Sequence, residues 1–307
     1  MDNLTHSLIG AVLGQAGLKR KTGLAMPALI IAANLPDIDA GCVIYGIESL
    51  SMRRGITHGP IALLVLPMLL AAGLWWFDRW QQKRGKRPAG RLPLHFGWLL
   101  GLCVLGMLTH LLFDWFNNYG IRLLEPFSSQ WFYGDTLFII DPWIIALLGA
   151  GIWLSLRRER HSRSDWRKPA LSALFGIVAY VVVNIGISME AVSEARRTVP
   201  QATVATANPV PLVIWKREVL VRTGQMYGSY SSLPFMALKG TLPPRPLGIS
   251  DPRIAQWSKH DPAAKAFLFW SRMPVAELHA DRIILRDQRF MNPLTADQFS
   301  VTLRPKK

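Results

Sequence analysis

The residues best suited to chemistry are three histidines that each follow a threonine, together with the aspartates nearest to them. THLLFDW, residues 109–115, places His110 and Asp114 four residues apart. In a helix this spacing puts both side chains on one face, one turn apart. His6 and His58 also follow a threonine. Metal sites and proton relays use the same imidazoles and carboxylates, so the residue types alone leave both chemistries open.

Other aspartates stand where apolar stretches begin or end. In NLPDID, Pro36 is expected to end a helix, and the following Asp37 and Asp39 are expected to be extended, pointing to one side. Asp141 precedes Pro142 at the start of another apolar stretch. Simpler interpretations are a solvated turn for the first pair and a helix N-cap for Asp141.

The elements that must position these residues are apolar segments of membrane length. Half of the 307 residues are apolar and the mean hydropathy is positive. A span needs ~20 apolar residues, and five stretches approach that length. They are 24–35, 60–77, 94–113, 137–156 and 169–189. Residues 4–18 form a shorter apolar stretch. Three arrangements stay open for it: it crosses the membrane at a tilt, it re-enters the membrane, or it packs inside the helical bundle. The sequence predicts an α-helical membrane bundle of about five or six segments.

The net charge of +15 is distributed as in a membrane protein and argues against nucleic-acid binding. Residues 1–189 contain 18 Lys/Arg, of which 15 lie in three connectors at 19–21, 79–91 and 157–168. The alternate connectors hold three, Arg53, Arg54 and Arg122. This bias predicts that the basic connectors face the cytoplasm of a bacterial inner membrane.

With this topology the polar residues gather at the outer end of the bundle. They are His6, Asp37, Asp39, His58, His110, Asp114 and Asp141. Ionisable groups at membrane depth are costly and mark functional sites, and this set matches the ligands of Zn²⁺ or a similar divalent ion. Arg53 and Arg54 lie close before His58, where they would suit an anionic, phosphate-bearing substrate. Anchoring to lipid headgroups is the simpler explanation for the two arginines.

The composition changes after Met189, which predicts a transmembrane domain at 1–190 and a small outer α+β domain at 191–307. Strand-like runs occur at 213–223, 277–286 and 299–304. Asp251 and Asp261 each precede a proline and are expected to cap short helices. Residues 190–307 contain 17 Lys/Arg against 9 Asp/Glu. The surface of the tail domain is therefore expected either to bind anionic lipid or to be exposed to solvent.

Four ordered motifs resemble one family. TH-x-LIG near the start, NLPDID, RRG-x-THG and TH-x3-D together are similar to the YdjM/YbcI-type inner-membrane, metal-dependent hydrolases. More remotely, the order of these residues resembles zinc-dependent phospholipase C. That likeness implies metal-ligand roles for His6, Asp37, His58, His110 and Asp114. Such enzymes supply further ligands downstream that are missing here, so the resemblance implies one or two ions.

These observations favour a membrane-bound, metal-dependent hydrolase that acts on a phosphoester, with lipids among the candidate substrates. In it Asp39 or Asp141 would act as general base or orient a ligand, and Arg53 and Arg54 would bind phosphate. Two alternatives stay open. A non-catalytic protein would use the metal to hold helix ends together. An ion-coupled transporter would place ionisable groups near the midplane or on both sides, whereas these lie on one side.

Overall fold

The computed structural model describes residues 1–292 and 295–305, so the last two residues of the predicted tail domain lie outside the described chain. The predicted fold class is confirmed: apolar helices come first, followed by antiparallel sheets with short helices. The helices are α1 (Asn3–Gln15), α2 (Ala25–Ala32), α3 (Ser49–Met52), α4 (Pro60–Lys83), α5 (Phe96–Trp115), α6 (Pro142–Arg160), α7 (Lys168–Thr198), α8 (Pro252–Ser258) and α9 (Pro262–Trp270).

Four helical segments of the described chain are long and apolar enough to cross a membrane. They are Ala25–Met52, Pro60–Lys83, Phe96–Trp115 and Lys168–Thr198, and they match four of the five predicted stretches. The remaining predicted stretch, 137–156, corresponds to α6. This helix begins at Pro142 and ends in charged residues that shorten its apolar part. With 13 residues, α1 is ~20 Å long, less than the ~30 Å hydrocarbon core.

The chain divides into two compact units. The first comprises Met1–Ile38 and Arg54–Ile185, and the second comprises Asp39–Arg53 and Gly186–Lys307. In the first unit α1 packs on α2 and α6, while α5 packs on α2 and α4. One apolar core of this unit includes Ile9 and Leu148, and another includes Leu29 and Leu99.

The region after Pro36 differs from the prediction. Asp37 and Asp39 were expected in an extended stretch, but both lie in a 3₁₀-helical segment at Leu35–Glu48 that is broken at Gly46. A 3₁₀ helix turns once every three residues, so residues two apart point in different directions. The two carboxylates therefore cannot share one side as an extended DxD would.

The described residues of the second unit form two antiparallel sheets. The strands are β1 (Val204–Pro209), β2 (Arg217–Thr223), β3 (Met226–Ser232), β4 (Lys239–Pro246), β5 (Pro274–Leu278), β6 (Ile283–Asp287) and β7 (Ser300–Leu303). They form sheets of order β1-β2-β3-β4 and β5-β6-β7. Val219 faces Tyr230 across β2 and β3, and the end of α7 packs on this sheet through Ala191 and Ala195.

The predicted caps of the two tail helices are confirmed. The Asp251 side chain accepts a hydrogen bond from Arg253 N, and the Asp261 side chain accepts one from Ala264 N. A buried ion pair joins Asp287 to Arg289, with Nε 2.9 Å from Oδ1. Burial raises the pKa of the Asp287 carboxyl, but the Arg289 guanidinium outweighs it and holds this pKa below its usual value. The pair therefore stays ionised at neutral pH.

Candidate metal centre

Helix ends and the loops beside them supply the buried polar cluster of the first unit. Asp37 lies in the 3₁₀ segment that follows α2, and His58 lies just before α4. His110 and Asp114 occupy the last turns of α5. Each of these four residues offers a nitrogen or oxygen atom, and the four atoms all lie within 4.8 Å of one another. All four are buried, so they form a group that could hold a metal ion.

The two histidines of this group face the Asp114 carboxylate. His58 Nε2 lies 3.5 Å from Asp114 Oδ2, and His110 Nε2 lies 3.4 Å from the same oxygen. The two Nε2 atoms are 3.1 Å apart. Asp37 Oδ1 completes the group at 3.9 Å from His110 Nε2. The helical spacing therefore does bring His110 and Asp114 together, as the sequence predicts.

The outer nitrogen of each ring is held by a neighbouring oxygen. His110 Nδ1 lies 2.8 Å from the carbonyl oxygen of Ala33, and His58 Nδ1 lies 2.8 Å from Thr57 Oγ1. A carbonyl can only accept, so His110 Nδ1 donates, and in a neutral ring its Nε2 presents a lone pair to the cluster. Metal-binding histidines are commonly oriented in this way.

His6 lies beside this group. Its ring stacks on that of His110 with centroids 3.9 Å apart, and its Nε2 is 3.3 Å from Asp114 Oδ1. Two buried atoms, His6 Nε2 and Asp114 Oδ2, have no hydrogen-bond partner among the described residues. Buried polar atoms normally have such a partner, so each of these two atoms is compatible with a cation bound nearby. The donor set, imidazole nitrogen and carboxylate oxygen, is one that Zn²⁺ and related divalent ions accept.

Arg54 contacts the cluster directly. Its Nη2 lies 3.1 Å from Asp114 Oδ1, and its Nη1 lies 2.9 Å from Asn117 Oδ1. The guanidinium also lies 4.7 Å from the centre of the Tyr119 ring. The α-amino group of Met1 contacts the same Asp114 oxygen. Sequence reasoning missed Asn117 and Met1, and only the apolar surroundings of NNYG could have drawn attention to Asn117.

The remaining predicted residues are not part of the converging group of four. Arg53 Nε is 4.0 Å from Asp39 Oδ1, and both residues belong to the second unit. Asp141 caps α6: its Oδ1 accepts hydrogen bonds from the backbone of Trp143 and Ile144, and its Oδ2 accepts one from the Tyr180 hydroxyl. The N-cap interpretation of Asp141 is therefore confirmed, and both of its oxygens are engaged.

Comparison with known proteins gives a family match that covers the residues of the cluster. The family model described as YdjM inner membrane protein matches residues 1–191, which include every residue of the cluster. The "Uncharacterized protein YfhP" of Bacillus subtilis (strain 168) is 30% identical over 165 residues, 50% of this chain. The aligned part spans 46% of that relative's length. No solved structure matches. By the extent of the family match, the chain belongs to the YdjM inner membrane protein family.

Proposed function

We propose that this protein is a membrane-bound, metal-dependent hydrolase that cleaves a phosphoester, with a phospholipid as the first substrate to examine. The observation that carries the proposal is the convergence of Asp37, His58, His110 and Asp114 within 4.8 Å. A divalent ion bound by such residues would lower the pKa of a bound water to near 7, within reach of neutral pH. Zn²⁺ suits the mixture of imidazole and carboxylate ligands.

The protein's own residues divide the remaining tasks. The ion would be held by Asp37, His58, His110 and Asp114. His6, which lies next to Asp114, would bind the same ion or a second one. Arg54 is engaged by Asp114 and Asn117, so we assign it to orienting Asp114. Arg53 is partly exposed and is the arginine we assign to the anionic substrate.

The general base is assigned to Asp39 in preference to Asp141. Asp141 is committed to capping α6, since its Oδ1 accepts hydrogen bonds from the start of that helix and its Oδ2 accepts one from Tyr180. Asp39 is the other carboxylate that the sequence nominates for this role. The assignment rests on this choice between the two carboxylates.

The charge of the connectors supports a location at the outer face of the inner membrane. The 15 basic residues in the connectors at 19–21, 79–91 and 157–168 favour the cytoplasmic side for these connectors. The helix ends that carry the cluster belong to the opposite side. Lipid headgroups would be the nearest phosphoesters at that depth.

A structural metal site is the second candidate, and one observation favours it. His6, His58, His110 and Asp114 are each at most 1% exposed, as expected of a closed site that stabilises helix ends. In that case the ion would be bound without any open position for water. The two candidates therefore differ in catalysis and agree on metal content.

The test is a hydrolysis assay on the purified, zinc-loaded protein in detergent. Phosphatidylglycerol micelles and bis(p-nitrophenyl) phosphate serve as substrates, with chelation and zinc return as the control for metal dependence. Asp39→Asn is expected to keep its zinc and lose hydrolysis. Full zinc content with no hydrolysis of either substrate by the unmodified protein would favour the structural site.

A further inference from the structure

Four large apolar side chains of the second unit project from two loops at one end of its four-stranded sheet. Leu212 and Trp215 precede β2, whereas Phe235 and Met236 follow β3. Their exposed fractions are 60%, 52%, 96% and 60% in that order. Arg217, the first residue of β2, pairs with Ser232, the last residue of β3, so both loops lie at the same end of the sheet.

The backbone of each loop adopts a conformation that is uncommon for residues with side chains. Leu212 has φ 65° and Phe235 has φ 61°. Left-handed backbone is rare for residues other than glycine and costs free energy. In water alone, no favourable interaction would offset this cost at two exposed apolar residues. Contact with an apolar environment would offset this cost.

Hydrogen bonds tie this end of the sheet to a defined level of α7. Arg217 Nε donates to Ser188 Oγ at 2.9 Å, and Phe235 N donates to Glu190 Oε1 at 2.9 Å. Helix α7 is one of the candidate membrane spans, and its residues 169–189 contain no charged side chain. Glu190 is the first charge after that run, so the loops lie at the level where the apolar part of α7 ends.

We propose that these two loops insert into the interface of the bilayer that α7 crosses and thereby anchor the tail domain on the lipid surface. Tryptophan and other aromatic side chains favour this depth. Lys216, next to Trp215, and Lys239, at the start of β4, stand at the same end of the sheet, where they suit anionic headgroups. The proposal does not depend on any chemistry at the metal centre.

The experiment places an environment-sensitive fluorophore on single cysteines in the full chain. A Cys42→Ser, Cys103→Ala background receives Leu212→Cys, Phe235→Cys or Gln225→Cys. Gln225 is an exposed residue in the turn between β2 and β3, at the opposite end of the same strands, and serves as the matched control. The labelled proteins are reconstituted in phosphatidylethanolamine–phosphatidylglycerol vesicles with or without nitroxide-bearing lipid, and circular dichroism confirms that each is folded.

At positions 212 and 235 we expect a blue-shifted emission, quenching by the lipid nitroxide and loss of quenching by aqueous iodide. At position 225 we expect iodide quenching and no lipid quenching. Iodide access at 212 and 235 would overturn the proposal. Protection from both quenchers would also overturn it, since it would mean that protein covers the loops. Equal lipid quenching at all three positions would show contact by the whole domain and contradict anchoring by these loops.

Discussion

At the scale of single residues, Asp114 is the point where the cluster meets. Its Oδ1 faces Arg54, His6 and the Met1 amino group, and its Oδ2 faces His58 and His110. A buried carboxylate is costly unless cations surround it. The arrangement therefore requires a fixed Asp114, and Arg54 is the long side chain placed to fix it.

Arg54→Met is expected to destabilise the protein strongly because it leaves a buried carboxylate with one fewer cation. Breaking a buried pair costs about 3–5 kcal/mol, whereas an exposed pair contributes about 0–1 kcal/mol. Arg53→Met removes a longer, partly exposed contact and is the matched control. Thermal unfolding in detergent should show a large fall in midpoint for Arg54→Met and a small one for Arg53→Met. Equal shifts would contradict the role given to Arg54.

The sequence predicts part of this residue-level picture. The spacing of His110 and Asp114 determines a shared helix face before any tertiary contact is known. By contrast, Arg53 and Arg54 are neighbours of identical type, and their different surroundings depend on how the loop folds over Asn117 and Gly120. A shared helix face can therefore be predicted from the sequence. Which of two adjacent loop arginines contacts Asp114 cannot be predicted in this way.

At the scale of elements, close packing of helices holds His110 in place. A side chain at Gly106 would bring its Cβ within 2.8 Å of Ala32 Cβ and 2.9 Å of the Leu29 carbonyl oxygen. Gly106 lies one turn before His110, whose Nδ1 bonds to the carbonyl of Ala33 on the same neighbouring segment. Small residues at such a crossing let membrane helices approach closely.

Gly106→Ala is expected to push α2 away from α5, destabilise the protein by about 1–3 kcal/mol and weaken metal binding. Gly101→Ala, on the same helix with open space around its Cβ, is the control. It should leave the unfolding midpoint unchanged or raise it slightly, since alanine favours a helix over glycine by about 0.5–1 kcal/mol. The measurements are the thermal midpoint and the zinc dissociation constant. Unchanged zinc affinity in Gly106→Ala would contradict the link between this crossing and His110.

The elements of the tail show why some strands escape sequence reasoning. Strand β3, MYGSYSS, is polar, and β4, KGTLPPRP, is rich in proline, so neither has the apolar alternation typical of strands. Strand β4 is at the edge of its sheet, where proline is tolerated. The Asp-Pro caps of α8 and α9 were predictable because capping depends on neighbouring residues alone.

At the scale of the whole molecule, composition was enough to predict a membrane bundle followed by an α+β domain. The hydrophobic runs and the charged connectors each extend over many residues, so the wrong assignment of one residue does not change the prediction. The orientation in the membrane follows from the same charge bias and remains a prediction.

A phosphatase reporter, which is active only outside the cytoplasm, tests this orientation. Fused after Lys307 it should be active, and fused after Arg84 it should be silent, because the connector at 79–91 carries six basic residues. Expression of each fusion is checked by immunoblot. The reverse pattern of activity would contradict the outer location of the metal centre.

Binding of a divalent metal by the buried cluster can be tested by measuring the metal content of the protein. The protein is purified in detergent, loaded with Zn²⁺, desalted and measured by mass spectrometry of the metal beside two variants. We expect one or two zinc ions for each chain, about the range that such a ligand set can hold. His110→Ala should lose this metal, whereas His95→Ala, at the exposed start of the same helix, should keep it. Zinc retained in full by a folded His110→Ala variant, or no zinc in the unmodified protein, would contradict metal binding by this cluster.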